Sequence, residues 1–212
     1  KSKAMRTWLD TDAKGLVAAL PELRSTLADL EARALPQSEE AKAEQREKQP
    51  RYDELKTLEA KLTAMRYAQD VRNGNSPPET FALNEATLPK TLGELNSRAW
   101  SLVDPERRDF GREAEGLALA RRAVSAAPSS GDDRAMVTDT LAWALLANGL
   151  DDEALAKSKD ALAAASASKR AAYSEYLKRL EAAIATASGD EGQRAIAELT
   201  TQVAALDAKV ST

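Results

Sequence analysis

Between residues 16 and 30 the apolar positions fall on Leu16, Leu20, Leu23, Leu27 and Leu30, at alternating steps of four and three. Steps of that kind place the leucines on one narrow stripe of a helix, as in a coiled-coil seam. Pro21 stands inside the stripe, so the helix either restarts there with proline in its first turn or kinks. The stretch PQSEEAKAEQREKQP, residues 36–50, is polar on every side and reads as a loop or a short solvated helix capped by Ser38. In RYDELKTLEAKLTAMRYAQ the stripe returns as Tyr52, Leu55, Leu58, Leu62 and Met65. Two seamed helices joined by a polar connection fold back most simply as an antiparallel hairpin, so residues 1–72 are expected to form a helical hairpin or coiled-coil segment. The same seam can also dimerise in trans.

The run NGNSPPE, residues 73–79, suits neither helix nor strand and marks a boundary, with residues 73–91 as a linker. Beyond it the helical period resumes and holds to the end of the chain, so 92–212 is expected to be a second helical domain. Thr91 and Glu94 have capping-box spacing before LGELNSRAWSLV, which Asp104-Pro105 closes. GREAEGLALARRAVSAAP ends before Pro128. RAMVTDTLAWALLANG ends at an Asn-Gly turn, after which Asp151 or Asp152 caps DDEALAKSKDALAAA. Two further helices follow, one carrying Tyr173, Leu177, Leu180 and Ile184, the other Ile196, Leu199, Val203, Leu206 and Val210. The expected fold class is therefore all-α.

Composition narrows the chemistry. The chain is 43% hydrophobic but only 4% aromatic, which favours helices packed in pairs along its length over one thick core. Thirty basic and 34 acidic residues leave a net charge of −4, too balanced to draw a phosphate backbone, so no nucleic-acid partner is expected. The sequence has neither Cys nor His, which removes thiolate nucleophiles, the commonest general base and the usual ligands of transition metals. Gly-rich phosphate loops and nucleophile elbows are also missing. The chain is expected to be no enzyme and to carry no cofactor or metal. No apolar run reaches the roughly 20 residues that span a bilayer, and KSKAMRTW has no secretory core, so no membrane segment is expected within it. A start at Lys1 suits a piece of a longer chain. The compartment is left open, with the cytoplasm as the favoured setting.

The second half contains a repeat. Ala99-Trp100 superposes on Ala142-Trp143, and at a slightly shorter shift Ala123-Val124 superposes on Ala161-Leu162; the difference falls in the loop around DPERRDF. In its second copy, TLAWALLANGLDDEALAKSKDAL resembles a tetratricopeptide repeat, with Leu141, Ala142, Leu145, Gly149, Ala154 and Ala161 at the family's pattern positions. The first copy matches through Ala99, Gly116, Ala123 and Pro128, with a longer loop between its helices than the family has. The resemblance covers about residues 92–165 and implies a short tetratricopeptide-like α-solenoid with C-terminal capping helices. A coiled-coil-like segment followed by such repeats also resembles regions between modules of large multidomain bacterial proteins, those with a serine/threonine kinase or formylglycine-generating-enzyme-like domain among them.

The resemblance places Trp100 and Trp143 on a concave groove. Asn96, Trp100, Val103, Asp139, Trp143 and Leu146 are the candidate partner-binding residues, with Arg98 beside Asn96 and Asp139 on a polar rim. Aromatic anchors within such a rim suit an extended peptide or helix. In the other reading the chain's own helices fill the groove: the Tyr173–Ile184 helix, the C-terminal helix or the N-terminal hairpin, since two repeats need capping. The expected function is a protein interaction or scaffold module that positions a protein or peptide partner, or a neighbouring domain of a longer chain. The alternative is a structural spacer or stalk that forms a homodimer through its seams.

Overall fold

The computed structural model describes residues 2–33 and 38–211, and among them all regular structure is helical. The chain divides into two compact units, Lys1–Gln49 and Pro50–Thr212. The division therefore falls at the Gln49-Pro50 step, and NGNSPPE lies inside the second unit. Within that unit the loop is held by the Tyr67 hydroxyl, which donates to the Pro77 carbonyl at 2.9 Å.

In the first unit, α1 (Ser2–Trp8), a π-helical stretch (Leu9–Ala13) and α2 (Lys14–Arg33) follow one another without a break, and α2 passes through Pro21. The seam leucines from Leu16 to Leu30 are 43–60% exposed. α3 (Glu39–Glu47) is the polar helix foreseen after Ser38, whose hydroxyl accepts from the Ala41 amide at 3.1 Å. Pro36, the start of that expected connection, lies outside the described residues.

The second unit begins with α4 (Tyr52–Arg72) and a short 3-10 turn at Glu85–Thr87. Two helical pairs follow: α5 (Leu92–Val103) with α6 (Glu113–Ala126), and α7 (Asp132–Ala147) with α8 (Asp151–Ala164). α9 (Arg170–Ser188) and α10 (Asp190–Val210) complete it. The pairs are local for a physical reason: consecutive helices joined by a single loop become neighbours, and small residues let them close up. Gly116 is one such point, because a Cβ there would meet Val103 Cγ1 at 2.5 Å. The main core runs through both pairs, from Leu95 and Leu102 to Leu117, Leu119, Leu141 and Leu145. Thr91 caps α5 through the expected capping box.

The α4 stripe finds a partner other than the expected one. Leu55 packs with Leu206 and Val210 of α10, with Tyr52, Leu58 and Val203 around them. Within the second unit α4 thus pairs with the last helix of the chain. A second correction concerns α8: neither Asp151 nor Asp152 caps it, since Leu150 holds the N-cap position without a side-chain bond. Asp151 is taken up by Arg72 of α4 instead, at 2.9 Å.

Candidate functional site

Trp143 sits in the C-terminal half of α7, with small residues on either side in AWA, and is 8% exposed. α7 is apolar almost all round, as a helix packed on two sides must be. One side faces α6 and α8. The other faces two cavities, and the Trp143 ring lines both. Trp100 of α5 meets it edge to face, with ring centres 6.4 Å apart and planes at 86°, a favourable arrangement of aromatic quadrupoles.

The first cavity, of about 370 Å³, is mainly apolar, with Lys61, Gln69, Arg72 and Arg107 also lining it. Val103, Trp143 and Leu146 form one wall, while Met65 and Ala68 of α4, Ala183 of α9 and Ile196 of α10 form the others. At its edge the Arg107 guanidinium lies 4.7 Å from the centre of the Phe110 ring. Val103 and Leu146 therefore face a space walled by the chain's own helices.

The second cavity, of about 480 Å³, is of mixed character. α5 contributes Asn96 and Trp100, α7 contributes Asp139 and Trp143, and α9 contributes Tyr173, Tyr176 and Arg179. Asp104 and Glu106, on the loop after α5, also line it. Burial pushes the Asp139 carboxyl up to about 6, against the opposing pull of the Arg179 charge. Among the described residues no hydrogen bond or ion pair reaches that carboxyl. Burial, aided by the negative charge of Asp139, also raises the Tyr173 phenol to about 12, so it stays protonated. The Asn96 Oδ1 is buried and accepts no hydrogen bond.

The six candidate residues are thus divided: Asn96, Trp100, Asp139 and Trp143 share the mixed cavity, whereas Val103 and Leu146 line the apolar one with Trp143. Arg98, expected on the polar rim, turns instead to Glu115 of α6, at 2.9 Å. Sequence reading named the Tyr173–Ile184 helix among those that could fill the groove, but not the side chains with which α9 walls it. Tyr173 was visible only as part of a core stripe, and the three-residue step to Tyr176 was the one signal of an aromatic pair, whose rings lie 5.3 Å apart.

Among the described residues no group of acidic side chains is placed to hold a metal ion, and no helix is long and apolar enough to cross a membrane. Fold and cavities together define an all-α protein of helical pairs walled by three further helices. Comparison with models of known families, with curated proteins and with solved structures finds no match to this chain.

Proposed function

We propose that this chain is a non-catalytic interaction module that holds a protein or peptide partner, or a neighbouring domain of a longer chain. The observation that carries this reading is the mixed cavity, where the Trp100 and Trp143 rings meet beside polar groups that the fold leaves without partners. Aromatic anchors ringed by polar groups are how recognition surfaces concentrate binding energy. The resemblance of residues 92–165 to tetratricopeptide repeats supports the same reading, since such pairs present a concave face to ligands. A selection from displayed random peptides tests it. Binders are expected that lose affinity on Trp100→Ala and keep it on Arg121→Ala, an exposed position on α6. If no selected peptide depends on Trp100, the reading fails.

A second reading, a spacer or dimerising stalk within a larger bacterial signalling protein such as a serine/threonine kinase, draws on the exposed leucines of α2. Ala13, Leu20 and Leu27 alternate with Leu9, Leu16, Leu23 and Leu30 at heptad spacing, which suits a second helix of the same pattern. Sedimentation of the whole chain separates the two, because a stalk is a dimer that Leu20→Gln with Leu27→Gln returns to monomer.

A further inference from the structure

The mixed cavity contains two hydrogen-bond acceptors that the fold does not satisfy. The Asn96 amide oxygen is buried with no donor, and the half-buried Asp139 carboxyl has no hydrogen bond or ion pair among the described residues. An unsatisfied acceptor costs folding free energy, and Asp139 at an open space is one that a donor from outside would relieve. The balance of charge points the same way, since Asp104, Glu106 and Asp139 line the cavity against the single cation Arg179. Much of the remaining wall is aromatic. Trp100 and Trp143 offer ring surface to an aliphatic stem, and Tyr173 and Tyr176 offer π-faces to a positive head.

We infer that the cavity between α5, α7 and α9 receives the cationic side chain of an arginine or lysine on the protein partner, with Asp139 accepting from its head group and the Trp100–Trp143 pair covering its stem. This rests on the interaction-module reading and adds the chemistry of the anchor. Arg179, exposed and unpaired with Asp139, tunes the site by repulsion. The volume fits: about 480 Å³ lies within the range of sites that enclose one side chain and its flanking backbone.

The test uses the whole chain and its tryptophan indole N–H resonances, with Trp8 of the first unit as internal control. Blocked arginine and blocked lysine amides are titrated beside blocked citrulline and norleucine, which keep the shape and lose the charge. Agmatine and butylamine carry the same heads without a peptide backbone. The cationic amides are expected to move the Trp100 and Trp143 signals and leave Trp8 still, with the neutral isosteres at least about tenfold weaker. Asp139→Asn, shown by circular dichroism to keep its helices, is expected to weaken the cations about tenfold and leave citrulline unchanged, while Arg179→Gln tightens the cations.

Equal binding of citrulline and arginine, or no effect of Asp139→Asn, overturns the inference. Tighter binding of agmatine or butylamine than of the amides overturns the assignment to a protein side chain and leaves a free amine as ligand. Should peptide selection return Trp100-dependent binders without Arg or Lys, the cationic anchor falls while the module stands; if it returns none, the module itself falls.

Discussion

Arg72, at the end of α4, reaches the start of α8: its Nε lies 2.9 Å from both carboxylate oxygens of Asp151, and its Nη2 donates to the Leu146 carbonyl at 3.1 Å. One guanidinium thereby fastens α4 to both helices of the second pair, at a point where the two charged side chains are only 11% and 17% exposed. Removing one partner leaves the other desolvated and unpaired. Arg72→Ala is expected to destabilise the second unit by about 2 to 3 kcal/mol. Arg72→Lys should recover only part of that, because an ammonium cannot reproduce the guanidinium fork. Urea unfolding followed by circular dichroism measures both. An effect below half a kcal/mol for the alanine would show that the contact does not hold α4.

Gly149 serves a turn and a contact at once. Its φ of +77° is in the left-handed region, where a side chain is strained, and a Cβ there would run into the carbonyl oxygen of Ala68 on α4. Gly149→Ala is therefore expected to cost about 3 kcal/mol or more, well beyond the roughly 1 kcal/mol of backbone strain alone. A loss of only 1 kcal/mol would mean that α4 yields to the added methyl group. Asn148→Ala probes the same turn from inside, since the Asn148 Nδ2 donates to Glu113 O at 3.0 Å and to Ala144 O at 2.8 Å.

The Asn-Gly turn was legible in the sequence, as were the capping box at Thr91, the Ser38 cap and the ends of α5 and α7. Each depends on residues within one turn of one another. What covers a stripe was not legible in the same way. The period of Tyr52, Leu55 and Leu58 says that one face of α4 is buried, and says nothing about whether α2 or α10 buries it. Leu55 and Leu206 meet across most of the chain, and only the fold brings them together. Asp151 was misread for a related reason: an acidic residue at a helix start is the ordinary cap, and the Arg72 that claims it is far away in sequence. At the candidate site, the Trp repeat located Trp100 and Trp143, but nothing local marks Arg179 or Tyr176 as their neighbours.

The first unit makes a separate prediction. Residues 2–31 are exposed throughout except at Ala13 and Ala19, while the cores of the second unit are built from Tyr52 onward. A chain shortened to residues 50–212 is expected to unfold at the same urea concentration as the whole chain, within the error of the measurement. A clear fall in the midpoint would mean that the leucine seam of α2 stabilises the second unit.

Asp139 links the cavity to stability, and the direction follows from its proton. Its folded value of about 6 stands above the ordinary 3.8, so the folded chain holds this proton more tightly than the unfolded one. Below about pH 3 both states are protonated and the group contributes no difference. As the pH rises through 4 to 6 the unfolded state ionises first, and above 6 the folded chain bears the full penalty of a desolvated carboxylate. Two units correspond to at most about 3 kcal/mol, and partial contact with water reduces this to about 1 to 2 kcal/mol. Asp139→Asn keeps the shape and cannot ionise, so it is expected to be more stable than the parent by that amount at pH 8 and equal to it near pH 3. Thermal melts across this range decide the matter. A gap that does not change with pH, or a variant less stable at pH 8, would show that the carboxylate is already neutralised within the fold. At one ligand concentration blocked arginine amide should raise the melting temperature of the parent at pH 8 by more than that of the variant, because the ligand would relieve a penalty that only the ionised parent carries.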